Sequence, residues 1–262
     1  MAGKAGSENG GIWASVGVLI TFLVSWEWGP ALLNIPPYII PPASSVFDEF
    51  LRALARERLI FHTGVTALET IVGFAIGAVL GMVIGYVLGI STKAEFILSP
   101  YILALQIAPK VAFAPLFVLW FGFTIYPKIL VAVLIVFFPI MVNVLGAIRT
   151  VDPDLINLAR TFSASRWQIF RMIEFHDALP PLFSGLRIAS TLAVIGVVVG
   201  EMVGGNLGLG FLLVFGEGAG NTALVFVTIF MLTVVGVLLY GAIVLLEKKV
   251  LHYLPRQEYA TI

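Results

Sequence analysis

The residues of this sequence that could do chemistry are few and stand far apart. Glu27, Glu69, Lys110 and Glu201 interrupt long apolar runs. An ionisable group at membrane depth costs about 3 kcal/mol on insertion scales, so each is expected to face protein or water. Glu27 lies near the end of its run and can snorkel to the surface. Glu69, Lys110 and Glu201 are candidates either for a solute pathway or for structural ion pairs and caps; scattered as they are, they compose no obvious proton relay. His62, His176 and His252 sit near the ends of apolar runs, and no His-Glu-x-x-His, paired carboxylate or nucleophile with a base is evident. His176 beside Asp177 is too little for a metal site, so no metal and no catalytic residue is expected. The absence of cysteine excludes disulfides, thiolate-held metals and thiol catalysis. No G-x-x-x-x-G-K-[ST] occurs, so this chain has no phosphate cradle of its own.

What holds these residues is a membrane protein. Of 262 residues, 60% are hydrophobic and 11% charged, with a mean hydropathy of +1.04, against about 25% charged in an ordinary soluble domain. Acidic and basic side chains balance at 15 each, which argues for neither a nucleic-acid partner nor a polyanionic substrate. A spanning helix needs about 20 mostly apolar residues, and six runs qualify: 12–33, 64–90, 96–121, 127–148, 185–205 and 223–246. Their length and lack of alternation make the fold all-α and polytopic, with about six transmembrane helices and no barrel. The first run lacks a small-x-small cleavage site after "FLVSWEWGP" and is expected to remain a helix.

Orientation follows from the lysines and arginines of the loops. With the N-terminus inside, the inner segments hold Lys4, Lys93, Arg149, Arg160, Arg166, Arg171, Arg187, Lys248, Lys249 and Arg256, against Arg52, Arg56, Arg58 and Lys128 outside. Both termini are therefore expected in the cytoplasm. A short interfacial helix after "IPPYIIPPASS" would carry the outer arginines together with Asp48, Glu49 and Glu57.

Glycine patterning says how the spans associate. Gly73, Gly77, Gly81, Gly85 and Gly89 recur at four-residue spacing along the second span, and Gly196, Gly200 and Gly204 repeat the device in the fifth. Such faces let backbones touch where lipid supplies no hydrophobic drive. Tight static packing and a sliding or path-lining face both fit this pattern. In "LQIAPKVAFAPLFVLWFG", Pro109 and Pro115 should kink the third span and free backbone carbonyls near Lys110.

One long stretch near the middle is polar: "LINLARTFSASRWQIFRMIEFHDALPP", residues 155–181. Asp152 as N-cap and Pro153 at the first helical position open one short helix with Leu155, Leu158, Ala159 and Phe162 on a face. "SAS" breaks it, and Ser163 or Ser165 can cap a second helix bearing Trp167, Phe170 and Ile173, which Pro180 and Pro181 should stop before the fifth span. Two amphipathic helices with exposed aromatics either fold back on their own bundle or lipid, or form a socket for a partner.

At these residues the chain resembles the permease subunits of binding-protein-dependent ABC importers, in their nitrate, sulfonate and taurine branch. The family's cytoplasmic loop, E-A-A, three residues, G, nine residues, I-x-L-P, falls here on Asn157, Leu158, Ala159, then Ser163, then Ile173, Phe175 and His176. Further similarity lies in "APKVAFAPLFVLWFG", "FFPIMVNVLGAIRTVDP", "LPPLFSGLRIA" and "GEMVGGNLGLGFLL", in that order. Asn157, Ser163 and His176 depart from the motif's glutamate, glycine and proline; if the glycine position needs a positive φ, Ser163 bears strain or turns differently.

The resemblance implies a type I importer permease (MetI-like) fold. Residues 1–61 would be an N-terminal helix and outer segment, 62–247 the permease core with a coupling loop at 149–184, and 248–262 a cytoplasmic tail. It implies a multi-pass protein of the cell inner membrane that moves a small solute by alternating access. Two copies of a cytoplasmic ATPase would hold ATP and magnesium, this chain itself carrying no cofactor. An extracytoplasmic binding protein would deliver solute, and a second permease copy, in a homodimer, would complete the path. Ala159, Ser163, Ala164, Trp167 and Phe170 would meet the ATPase, with Arg160, Arg166 and Arg171 at the rim. Members of the branch carry nitrate, sulfonates, bicarbonate or aromatic heterocycles. Glu69 in "TALETIVGF", where many sulfonate members have arginine, tilts the expectation toward a thiamine pyrimidine precursor or riboflavin. The rival reading is an ion-coupled secondary transporter, which would want polar residues converging at the midplane and internal repeats. Co-purification with an ATPase would tell the two apart.

Overall fold

The computed structural model describes residues 4–252, so residues 253–262 of the tail, Arg256 among them, lie outside the described residues. The described residues form helices α1 (Lys4–Leu32), α2 (Ala43–Arg56), α3 (Leu59–Ile90), α4 (Thr92–Ile107), α5 (Ala114–Phe121), α6 (Ile125–Thr150), α7 (Pro153–Thr161), α8 (Arg166–Ile169), α9 (Phe175–Gly204), α10 (Leu209–Gly218) and α11 (Thr222–Val250). Five helical stretches are long and apolar enough to cross a membrane, and α4 with α5 makes a sixth if that bent pair is one crossing.

The core is α6 held between α3 and α9. A Cβ built on Gly73 would stand 2.7 Å from Cβ of Ala132, one on Gly77 2.9 Å from Val136, one on Gly81 2.8 Å from the Phe137 carbonyl oxygen, one on Gly85 2.6 Å from that of Met141, and one on Gly89 2.6 Å from Ile148. All five glycines thus face α6, and contacts advance along both chains together, so α3 and α6 run parallel. On the other flank Gly185, Gly196 and Gly200 meet Asn143, Ala132 and Lys128, the order now reversed, so α9 runs antiparallel to α6. Gly204 instead meets Val118 of α5. Two parallel helices joined in sequence need a return crossing, and α4 with α5 supplies it as one bent span.

The bend is local chemistry. Pro109 disfavours the helical region for the residue before it, and Ala108 is accordingly extended at φ −55°, ψ 137°. The chain turns by 82° there. Pro115 lies in the first turn of α5, where a missing N–H costs nothing; of the two expected kinks only Pro109 makes one.

Two sequence expectations are corrected. Pro180 and Pro181 do not stop a helix: Arg166–Gly204 is one continuous 39-residue helix, with a π-helical turn at Phe170–Glu174. The amides that these prolines lack are the i+4 donors of His176 and Asp177, which lie at exposed positions. Ala178, Leu179, Leu182 and Phe183 are buried around the prolines and hold the helix straight through. The fifth span therefore starts well before residue 185, and the loop expected at 149–184 is confined to about 151–174. Lys128, counted above among outer loop charges, is instead buried in α6.

At the end of the bundle that carries Lys128, a polar lock fixes the turn between α9 and α10. Lys128 Nζ donates to Glu69 Oε1 at 2.9 Å and to the Leu207 carbonyl at 3.3 Å. Glu201 accepts from the Thr66 hydroxyl at 2.7 Å and from the Gly210 amide at 2.6 Å, while that hydroxyl accepts from the Leu209 amide at 2.7 Å. The Gly208 amide donates to His62 Nδ1 at 3.0 Å. Gly208 has φ +105°, and a Cβ there would collide with the Glu201 carboxylate, so the turn requires glycine. Each of these side chains satisfies an amide or charge that burial would otherwise strand. Nearby, Glu27 receives the Ser44 amide at 2.8 Å and its hydroxyl at 2.7 Å, tying α1 to the start of α2 rather than snorkelling. Glu49 of α2 accepts from Asn221 at 2.8 Å, just before α11.

Two outcomes test this packing. Gly81→Leu should abolish accumulation of folded permease in membranes, whereas Gly64→Leu, whose Cβ would meet nothing within 4 Å, should accumulate like the parent. Lys128→Met should lower unfolding stability in detergent by about 3–5 kcal/mol, because it strands a buried carboxylate. Pairing it with Glu69→Met should recover most of that loss; a double variant weaker than the single one would contradict the ion pair.

Candidate functional site: a coupling loop and an intramembrane groove

The polar segment folds as its capping residues dictate. Asp152 accepts from the Asp154 amide at 2.8 Å and Pro153 opens α7. α7 closes in a Schellman turn: the Ser163 amide donates to the Arg160 carbonyl at 2.8 Å and the Ala164 amide to the Ala159 carbonyl at 3.0 Å. Ser163 takes φ +59° to do so, a left-handed conformation that costs a non-glycine residue about 1–2 kcal/mol. Serine thus takes up the left-handed turn that glycine would adopt without strain. Ser165 and Gln168 then form a reciprocal capping box that starts α8.

The loop presents an apolar surface that its own bundle leaves uncovered. Phe162 is 79% exposed, Met172 72% and Trp167 66%, with Leu155 and Leu158 about half exposed. Around them Asn157, Arg160, Ser163, Arg166 and Arg171 are exposed, and Ala159, Ala164 and Ile173 half-buried. Phe170 differs from expectation. It turns inward, its ring 4.8 Å from that of Tyr86, 5.3 Å from Trp167 and 5.8 Å from Phe175. Beside it the Tyr86 hydroxyl donates to Glu174 Oε2 at 2.8 Å. Phe170 and Glu174 therefore tie the loop to α3, and Phe162 and Trp167 remain the rings presented outward. Because α8 continues into α9 without a break, Trp167 and the Glu201 lock stand near the two ends of one helical rod, about 51 Å apart.

The structure brings two of the three intramembrane candidates together. Glu69 and Glu201 belong to the lock at one end. Lys110 lies apart, at the α4–α5 break, where its ammonium donates to the Gln106 carbonyl at 2.6 Å and stands 4.8 Å above the Phe138 ring. It borders a cavity of about 360 Å³ between the break, α6 and α9, which Gln106, Pro139, Asn143, Ile188 and Leu192 also line. Sequence reading missed Gln106 and Asn143. Asn143, an amide within a long apolar run beside Pro139, was the signal that could have found it. Tyr86, Thr66 and Lys128 were missed because their partners lie 59 to 135 residues away.

With this geometry in hand, comparison with known proteins is direct. Residues 77–252 match the family described as the binding-protein-dependent transport system inner membrane component. The riboflavin transport system permease protein RibX of Chloroflexus aurantiacus is 41% identical over 244 residues, covering 92% of this chain and 91% of its own. The formylaminopyrimidine transport permease protein ThiX of Halalkalibacterium halodurans is 33% identical over 244 residues, 91% and 94% covered. The aliphatic sulfonates permease SsuC of Bacillus subtilis, described as putative, is 30% identical over 228 residues, 87% and 83% covered. A match over most of the chain, to a family whose members span the membrane as this bundle does, leaves one assignment: the chain belongs to the binding-protein-dependent inner membrane components, the multi-pass permease subunits of ATP-driven ABC importers.

Proposed function

We propose that this permease imports a planar nitrogen heterocycle, a flavin or a thiamine pyrimidine precursor. It would work as a homodimer on two copies of a cytoplasmic ATPase, which hold the ATP and magnesium. The observation that carries the coupling role is the uncovered aromatic surface of α7 and α8, continuous with α9. Central aromatics ringed by arginines suit a desolvated protein contact, and in lipid-free water such a surface needs a partner. The heterocycle reading is supported by the riboflavin and formylaminopyrimidine permeases among the relatives, and by Glu69, which sits in the lock as the partner of Lys128 and adds no cation to attract an anionic solute.

The basic loops support an inside N-terminus and C-terminus. With Lys128 buried, the outer set shrinks to Arg52, Arg56 and Arg58 of the α2 region, while the α7–α8 loop keeps three exposed arginines. The lock and the α10–α11 turn then face the outer compartment, where a solute-loaded binding protein would press on them. ATPase closure on Trp167 and binding-protein docking at the Glu201 end would act on the two ends of one helix. Each ligand biases the transport states only by its unequal affinity for them.

Trp167→Asp is expected to leave the permease folded in the membrane, to lose at least 10-fold of solute uptake, and to release the ATPase during co-purification from gently solubilised membranes. A Trp167→Asp permease that retains its ATPase and transports normally would overturn the coupling assignment.

A further inference from the structure

The groove at Lys110 is the one place within the spans where a cation, two side-chain amides and an apolar wall converge on open space among the described residues. It lies about 15–27 Å from the Ile125 end of α6, inside a hydrocarbon layer of about 30 Å. Lys110 has no carboxylate within ion-pair distance among the described residues. Its ammonium is satisfied in part by the carbonyls that the Pro109 break exposes, those of Gln106 at 2.6 Å and Ala108 at 3.5 Å. Asn143 spends one N–H on the Pro139 carbonyl at 2.8 Å, leaving its other N–H and its Oδ1 for a ligand. Gln106 is exposed. Polar groups of this kind cannot look onto lipid, so this side of the bundle faces a water-filled path or another polar surface.

We infer that this groove is a solute-binding station in the translocation path, and that it recognises a planar heterocycle by its amide edge. The side-chain amide of Asn143 offers a donor beside an acceptor, the complement of an N–H next to a C=O on a ring. Lys110 and Gln106 supply donors to a second ring carbonyl. Pro139, Ile188 and Leu192 give the ring faces an apolar wall. A cavity of about 360 Å³ falls in the range of small-ligand sites, roughly 300–1,000 Å³. The ligand class rests on the heterocycle reading proposed above; the position of the groove in the path does not.

The cysteine-free chain makes the test direct. Val142→Cys and Ile188→Cys, both exposed beside the groove, are placed singly in the full transporter together with Val79→Cys, an exposed position on α3. A membrane-impermeant cationic methanethiosulfonate is applied to intact cells, with and without riboflavin. Groove cysteines should react at least 10-fold faster than Val79→Cys, and riboflavin should slow them. Reaction no faster than at Val79→Cys, in energised and de-energised cells alike, overturns the path assignment. In the second arm, Asn143→Leu should cut riboflavin uptake at least 10-fold while the loaded binding protein still stimulates ATP hydrolysis, and Asn143→Gln should restore part of it. Wild-type uptake by Asn143→Leu overturns the recognition role. A parent transporter that carries neither riboflavin nor a formylaminopyrimidine overturns the heterocycle reading and with it the ligand class, while the labelling arm still decides whether the groove lines the path.

Discussion

Everything in this bundle is referred to the contact between α3 and α6. Lipid is as apolar as leucine, so two helices gain nothing by hiding hydrophobic side chains from it; they associate by packing closely. Five glycines at four-residue spacing remove the side chains that would hold α3 away, and the α6 backbone settles into the furrow along most of its length. That contact fixes α3 and α6 as parallel. Parallel neighbours cannot be joined by a short turn, so α4 and α5 must recross the membrane around the outside of the pair. α4 accordingly buries no residue of its own in the core. A span so placed can break at Pro109 without disturbing the centre, and the break puts a lysine and two freed carbonyls beside α6.

α9 adds the second constraint. It packs antiparallel on the other flank of α6, again through glycines, and extends without interruption from the capping box at Ser165 to the lock at Glu201. The two prolines within it cost two amide donors, but the residues four places before them lie at exposed positions, and the apolar faces on either side remain buried. One end of this helix carries the exposed Trp167. The other carries a carboxylate that holds two elements at once, Thr66 of α3 and the first turn of α10. The exposed Trp167 and the buried Glu201 thus stand at opposite ends of one rod, with the Lys110 groove between them.

How much of this could be read beforehand follows from the range of each interaction. The six spans, the capping residues of α7 and α8, and the glycine face were legible because their signals are periodic or local: apolar length, Asp-Pro, Ser-x-x-Gln, four-residue spacing. The family resemblance was legible for the same reason, its loop motif being contiguous. Lys128 was misassigned because a lysine near the start of an apolar run looks like a loop charge until Glu69 is brought beside it. Pro180 and Pro181 were misread as a stop because local propensity favours one, and tertiary burial of Ala178, Leu179, Leu182 and Phe183 outweighs it. The direction of the Phe170 ring depended on Tyr86, which no pattern within the loop could announce. The Lys110 groove was half visible: Lys110 stood out as a charge, but Asn143 and Gln106 converge on it only because the chain bends at Pro109.

The same packing limits what kind of motion the protein can use. With backbone pressed against backbone on both flanks, α6 cannot slide past α3 or α9 by less than a full residue step without driving side chains into the neighbouring helix, and close-packed interfaces do not deform continuously. Such packing favours α3, α6 and α9 acting as one body. Tyr86 with Glu174 at one end, and Glu69 with Lys128 at the other, pin that body further. In the coupling role proposed for it, force arriving at Trp167 would not be dissipated within the bundle. It would reappear as rotation or translation of the whole core against the elements that pack less tightly, which are α1, the broken α4–α5 span and α11. The Lys110 groove lies on that boundary, with Gln106 and Lys110 on the broken span and Asn143, Ile188 and Leu192 on the core. A rigid core moving against a bent span changes the shape of a site at their boundary more than that of any site within the core, and a solute held there would feel each stroke.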